Sequence, residues 1–345
     1  ALEGRDCYLL VANSRGVNVW CAGTGGMLTN HDAISVLRTS GVEDVVDHRE
    51  VILPQLAATG IEARVIEEKT GWKNLWGPVY ADDIPGFLQN DRTKPPEMRQ
   101  VKFPWFQRIE MAVAWAFPLS LLAALIVLIF WREALLPLVL LIWGLALLIF
   151  MLFPLYRGWL GSGGRRFGFV FFDFGRGGLP LALWGVFMVG FVAYTGLTGQ
   201  LAWESILRWG VASLVIVLVI SLDLMGSTPV YKSGLHEERR LKIRLDEDKC
   251  GRDGICVEVC PRNCFELDAD QQAATMPRAD RCVQCGACIV QCPCDALCFE
   301  SPEGQIVAPE AVRKYKLNLT GKRLVKAESD YPHPPVPFDA EDRPI

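Results

Sequence analysis

The chain has 345 residues, 51% of them hydrophobic, with 35 Lys and Arg against 39 Asp and Glu and a net charge of −4. That length allows two or three domains, and the slight acidity offers none of the basic footprint that nucleic acid requires. The twelve cysteines belong in a reducing compartment once they are read as cluster ligands and free thiols. No secretory signal peptide or initiator methionine opens the chain, so residue 1 reads as starting partway into something.

The first hundred residues read as a soluble α/β piece. Two short apolar runs, Tyr8–Ala12 and Val17–Trp20, flank a Ser14-Arg15-Gly16 turn and predict a β-hairpin or two strand ends. Cys21-Ala22-Gly23-Thr24-Gly25-Gly26 follows, then a helical pattern through Asp32, Ile34, Val36 and Leu37. Val51–Leu56 and Ala63–Ile66 read as strands. A cysteine on a strand-to-helix turn has a lowered thiol pKa, which makes Cys21 a candidate nucleophile or metal ligand. The competing reading of this glycine-rich stretch is a plain turn or a phosphate site.

The middle third reads as membrane. Met111–Trp131, Ala134–Tyr156 and Leu179–Gly199 are long enough to span the hydrocarbon core, and Gly210–Leu222 with its flanks is a shorter fourth candidate. Phe167–Phe174 is apolar but carries Asp173, and reads as re-entrant, interfacial or the start of a fifth span. Basic residues gather before the first span (Arg92, Lys94, Arg99, Lys102, Arg108), between the second and third (Arg157, Arg165, Arg166, Arg176), and after the fourth (Lys232, Arg239, Arg240, Lys242, Arg244). Such residues favour the cytoplasm, so four spans place both ends of the chain there. Asp223, at the end of the fourth, reads as either an interfacial acid or a functional group.

Cys282, Cys285, Cys288 and Cys292 read C-x2-C-x2-C-x3-C, followed by Pro293. Three such thiolates grip one cubane and the fourth ligates a second, as in two-cluster bacterial ferredoxins. The upstream run Cys250, Asp253, Cys256, Cys260, Pro261 keeps the frame with one aspartate. Cys260, Cys282, Cys285 and Cys288 are therefore expected around one [4Fe–4S] cluster, and Cys250, Asp253, Cys256 and Cys292 around the other. Aspartate is a harder ligand than thiolate. The second site is either [4Fe–4S] with one carboxylate ligand or [3Fe–4S] with Asp253 idle. Zinc and disulfides suit this spacing poorly. Cys264, Cys294 and Cys298 remain, as small buried apolar residues or as a soft-metal relay. Tyr331–Ile345 is rich in proline and acid and reads as a disordered extension. His31, His48, His236 and His333 are scattered, and none is assigned as a ligand.

Asn18-Val19-Trp20-Cys21-Ala22-Gly23 resembles the cap-helix motif N-V-W-C-A of the mercury-methylation corrinoid membrane proteins (HgcA). Asp44–Arg49, Ile52–Leu56, Gly77–Val79, Pro96–Arg99 and Gly226–Pro229 resemble that family too. Its partner is a two-cluster ferredoxin with extra cysteines (HgcB), and this chain looks like the two fused. The resemblance implies that Cys21 is the lower axial ligand to the cobalt of a cobalamin-type corrinoid. It implies that Asn18, Val19, Trp20, Ala22 and Gly23 cap the corrin's lower face, and that the clusters return cobalt to its nucleophilic state. It further implies that Cys294 and Cys298 relay Hg(II), the methyl acceptor. Three departures stand out. The family's Ala-Ala-Gly-Lys continuation is replaced by Ala22-Gly23-Thr24-Gly25-Gly26, Asp253 replaces a cysteine, and the chain is N-terminally truncated relative to the family.

The expected fold is multidomain. A partial α/β corrinoid-binding domain with the cap motif (1–105) precedes a helical transmembrane bundle of about four helices (106–228) and a linker (229–240). An α+β bacterial-type 2[4Fe–4S] ferredoxin (241–310) and a partly disordered extension (311–345) follow. The expected cofactors are a corrinoid and two clusters. The expected partners are a methyl-donor methyltransferase protein, a low-potential electron donor, Hg(II) and membrane lipid, with no nucleic acid. The location implied is the cytoplasmic membrane, multi-pass, with both soluble domains facing the cytoplasm. The remaining readings are a membrane iron–sulfur electron-transfer subunit without methyltransferase activity, and a corrinoid methyl carrier with another acceptor.

Overall fold

The computed structural model describes residues 2–156, 178–221, 241–267, 273–301 and 304–315. The chain divides into two compact units, one made of Ala1–Val101 with Glu238–Ile345 and the other of Lys102–Glu237. The helical segment is thus inserted between two halves of one soluble unit.

In the N-terminal half, α1 spans Val19–Gly25 and α2 spans Asn30–Thr39. Asn18 sits in extended backbone and its side-chain oxygen accepts from the Cys21 amide at 2.8 Å. That N-cap bond commits Val19 and Trp20 to a helix, so the strand expected over Val17–Trp20 does not form. Tyr8–Ala12 forms no strand either. Strand β1 (Glu50–Leu53) stops at Pro54, earlier than expected, and a 3₁₀ turn occupies Gln55–Thr59. Ala63–Ile66, expected as a strand, is the first part of α3 (Ala63–Thr70). Four mostly apolar residues, interrupted by Arg64, suit either state, and here Glu67–Thr70 continue the helix with Ile66 on its buried face. Helix α3 is the crossover to β2 (Lys73–Trp76), which pairs parallel with β1. Two short helices, α4 (Ile84–Gln89) and α5 (Pro96–Arg99), complete this half.

The second unit is helical: α6 (Trp105–Phe130), α7 (Leu135–Met151), α8 (Phe153–Tyr156), α9 (Gly178–Leu197) and α10 (Trp203–Ser221). By length and composition, Trp105–Phe130, Arg132–Met151 and Trp203–Ser221 suffice to cross a membrane, and Leu181–Leu197 is a shorter apolar helix. The order of strength among the candidate spans is therefore revised. The fourth, extended by its flank from Trp203, meets the criterion. The second is split, with α7 ending at Met151 and α8, which has Pro154 as its second residue, beginning at Phe153. Ala112 and Ala116, small and four apart on α6, are fully buried among Ile142, Ala146, Ile149 and Phe150 of α7, as close helix approach in lipid requires. Trp184 on α9 donates its indole N–H to Gly210 O at 3.0 Å and Ser213 Oγ at 3.1 Å on α10. Phe167–Phe174 with Asp173, Asp223, Gly226–Pro229, the basic residues of 157–176 and 232–240, and the 331–345 tail lie outside the described residues.

The C-terminal half has β3 (Lys242–Leu245) antiparallel to β4 (Leu297–Glu300), which pairs with β5 (Ile306–Val307). Helices α11 (Ile255–Val259) and α12 (Ala287–Gln291) each follow a left-handed glycine, Gly254 and Gly286. Helix α13 spans Pro309–Tyr315 and so crosses the boundary expected at residue 310.

The two halves of the soluble unit are bolted together by polar contacts. Gln291 Nε2 donates to Ala58 O at 2.8 Å and Ile61 O at 2.6 Å, while its Oε1 accepts from the Ala63 amide at 3.2 Å. Arg313 on α13 reaches Glu62 Oε2 at 3.9 Å and forks onto Asp295 at 2.8 and 3.0 Å. The Val101 amide donates to Pro261 O at 2.9 Å. Lys94, its side chain 3% exposed, donates to Gln55 Oε1 at 3.1 Å and Gly77 O at 3.2 Å, and pairs with Glu258 at 3.7 Å.

Desolvation pulls the Lys94 ammonium down to about 8, with Glu258 opposing. Between pH 8 and 10.5 the unfolded chain holds a proton that the folded chain has released. Stability contributed by this group therefore rises with pH through that window, by about 3 kcal/mol. Lys94→Met should abolish that rise. Urea unfolding of parent and variant at both ends of the window measures it, the difference isolating Lys94 from the titrating thiols.

Candidate functional site

Helix α1 presents two faces. Cys21 is exposed, whereas Ala22 and Gly23 are buried against the Gln55–Thr59 turn. The approach is backbone to backbone. A Cβ on Gly60 would lie 2.4 Å from Leu28 O and 2.7 Å from Gly23 Cα. A Cβ on Gly23 would lie 2.5 Å from Thr59 Oγ1. Ala22 and Gly23 thus seat the helix, and its outward residues are left for a ligand. Beside Cys21, Trp20 Nε1 is buried without a hydrogen-bond partner, and the preceding segment exposes Tyr8, Leu9 and Val11. An exposed soft thiol, an unused indole donor and bare apolar side chains suit a large flat ligand with a soft metal and polar edges.

Cys260, Cys282, Cys285 and Cys288 line one pocket, whose wall includes Ile243, Phe265 and Ala287. Backbone amides point at the sulfurs: Cys264 N to Cys260 Sγ at 3.3 Å and Gln284 N to Cys282 Sγ at 3.4 Å. Burial pushes the Cys285 thiol up to about 12 and Cys288 well above its ordinary value. Thiols so crowded in an apolar wall keep their protons unless cations replace them, and bound iron is such a cation. The donor set therefore fits a thiolate-held cluster. Among the described residues no three His, Cys, Asp or Glu side chains converge on a single ion. Cys264, unassigned by spacing, is buried with its thiol against Cys260 and Cys282.

Around the second set, Asp253, Cys250 and Cys292 all act electrostatically on Cys256, whose thiol burial pushes up to about 12. Asp253 is exposed and its Oδ1 accepts from Ile255 N at 2.8 Å. Cys292 Sγ accepts from Ala296 N at 3.4 Å. Cys294 Sγ lies 3.6 Å from Cys292 Sγ and accepts from Gly251 N at 3.3 Å. Cys298 is elsewhere, on β4 opposite Arg244 of β3.

Comparison with known proteins adds two matches. Residues 2–88 match the family model for the CO dehydrogenase/acetyl-CoA synthase delta subunit. Residues 235–296 match the 4Fe-4S dicluster domain. The two matches lie in different parts of the chain, one before and one after the apolar helices, and together they cover less than half of it. Among curated proteins, the acetyl-CoA decarbonylase/synthase complex subunit gamma of Archaeoglobus fulgidus is 36% identical over 84 residues, 24% of this chain and 17% of that one. The same subunit of Methanocaldococcus jannaschii is 35% identical over 88 residues, 26% and 18%. That of Methanopyrus kandleri is 33% identical over 86 residues, 25% and 18%. The chain thus spans under a fifth of the length of these relatives. No solved structure matches it.

Gln291 and Gly60 escaped the sequence reading, and Lys94, read there as a basic flank of the first span, is instead buried beside Glu258. Gln291 carried a faint signal, being the polar residue that closes the otherwise apolar Ala287-Cys288-Ile289-Val290 stretch.

Proposed function

We propose that this chain is a membrane-anchored, corrinoid-dependent methyltransferase that carries its own reductant, with Hg(II) as methyl acceptor. The observation that carries the reading is an exposed cysteine on a capped helix, in the same compact unit as a pocket lined by Cys260, Cys282, Cys285 and Cys288. A bound corrinoid supplies a cobalt centre that accepts a methyl group and passes it on. Cys21 would hold that cobalt as a soft thiolate, and the Trp20 indole would donate to the ligand's polar edge. Ala22 and Gly23 keep the helix rigid against the Gln55–Thr59 turn. The cysteine rings hold clusters whose potentials extend to about −700 mV, low enough to recharge the cobalt. A methyl-donor protein and a low-potential electron donor complete the cycle, and Cys294 and Cys298 are the candidate Hg(II) relay.

The anchor is the set of apolar helices. The soluble unit is built from both ends of the chain, so its halves share one side of any membrane the helices cross. That requires an even number of crossings, which makes α9 the fourth span beside the three longer helices. The basic flanks put that shared side in the cytoplasm.

A second reading has specific support. The curated matches are all subunits of acetyl-CoA decarbonylase/synthase complexes, which favours a methyl carrier with another acceptor. Purification under anaerobic conditions, metal analysis and incubation with methylcobalamin and Hg(II) separate the readings. Cobalt with roughly seven or eight irons and formation of methylmercury are expected. Cobalt without methylmercury selects the carrier, and iron without any corrinoid uptake reduces the chain to an electron conduit.

A further inference from the structure

We propose that the cluster ringed by Cys260, Cys282, Cys285 and Cys288 is the electron exit toward the cap helix, and that Gln291 is the positioning residue that fixes this exit. The direction of flow rests on the proposed function, whereas the contact itself does not.

The two ligand rings meet the N-terminal half unequally. Cys285 packs against the N-terminal hydrophobic core beside Ala287, and so do Ile255 and Val259 of the helix that carries Cys256. The other cysteines of both rings, Cys250, Cys256, Cys260, Cys282, Cys288 and Cys292, pack in the core of the C-terminal half, so Cys285 is the one ligand that reaches the N-terminal core. Pro261, next to the ligand Cys260, is pinned by the Val101 amide. The exit ring is thus held at Cys285 and next to Cys260. The second ring carries the exposed Asp253, which places it on the accessible side as the entry.

Gln291 ends the helix that carries Cys288 and directly precedes Cys292 of the other ring. All the polar capacity it spends at the junction goes into the N-terminal half: two donor bonds to Ala58 O and Ile61 O, one acceptor bond from Ala63 N. Ala58 lies in the 3₁₀ turn, and Gly60 just after that turn presses on Gly23 of α1. A continuous packed path therefore runs from Cys285 and Cys288 through α12, Gln291 and the turn to the helix of Cys21. The step it serves transfers one electron. The exit cluster is oxidised by one, the acceptor at the cap helix is reduced by one, and the entry cluster is recharged by an external low-potential donor, with no proton or bond exchanged.

The test uses the full chain in detergent under anaerobic conditions, with Gln291→Leu and Gln291→Glu. Iron content and cluster potentials should match the parent in both. With hydroxocobalamin loaded and the clusters pre-reduced, cobalt reduction should slow about tenfold to a hundredfold in Gln291→Leu. It should slow less in Gln291→Glu, which keeps the acceptor for Ala63. Bound paramagnetic cobalt should broaden the EPR signal that Asp253→Cys leaves unchanged. Broadening of the signal that Asp253→Cys shifts, or parent-rate reduction in Gln291→Leu, overturns the proposal. If the parent takes up no cobalamin, the functional reading falls. Amide exchange at Ala58–Ala63 then decides the contact, faster exchange in Gln291→Leu supporting it and unchanged exchange overturning it.

Discussion

Cys21→Ala will leave the chain folded and its iron in place, and will remove the thiolate–cobalt absorption and methyl transfer. The side chain is exposed, so its loss opens no cavity, and the stability change should stay within about 0.5 kcal/mol. The Asn18 cap bonds the backbone amide at position 21, which alanine keeps, so α1 persists. Removing a residue that merely supports a metal ligand costs about ten- to a hundredfold, and removing the ligand itself should cost at least the upper figure. The optical spectrum of bound cobalamin and the methyl-transfer rate, measured beside the parent, check both halves. Parent-like turnover in Cys21→Ala would show that the thiol is a bystander on a redox subunit.

Gly60→Ala should do the opposite, disabling the cap without touching a reactive group. The added carbon would meet Leu28 O at 2.4 Å, Gly23 Cα at 2.7 Å and Gly23 O at 3.0 Å. All three are backbone atoms, so no side chain can rotate away. Either α1 lifts from the turn or the N-terminal half loosens, at a cost of about 3 kcal/mol or more. Gly77→Ala is the control, because its closest neighbour is Ile52 Cγ2 at 2.8 Å, the end of a side chain that can turn. Cobalamin uptake should fall in Gly60→Ala while iron content stays near that of the parent. Limited proteolysis of the N-terminal half supplies the stability reading, and resistance equal to the parent would show that the helix does not depend on this contact.

The cysteine spacings were legible because that chemistry is written at short range, in intervals of two and three residues, and one such set, Cys260, Cys282, Cys285 and Cys288, lines a single pocket. The same short range misled elsewhere. Val17–Trp20 has strand composition, yet one bond from Asn18 to the Cys21 amide decides for helix. Ala63–Ile66 is too short for its period to be read, and the polar residues that extend it to Thr70 settle the matter. The four apolar segments were visible as composition, whereas the break between α7 and α8 turns on Pro154. The junction was invisible. Gln291 bonds partners 228 to 233 residues away, and such pairing leaves no local periodicity. The cap phrase pointed to mercury-methylating proteins, while the family match over residues 2–88 speaks for the broader corrinoid-protein class.

The split construction of the soluble unit also sets an order of assembly. Ala58 O, Ile61 O and the Ala63 amide are synthesised long before Gln291, about 230 residues later. At ribosomal speeds of 5–20 residues per second, that interval is on the order of ten to fifty seconds. Throughout it the front half lacks these partners while the helical segment between is being made. Segments made late thus close a unit begun early, so a stall within the helical segment would leave an open half prone to aggregation. Completion of the helices thereby becomes a checkpoint on closing that unit.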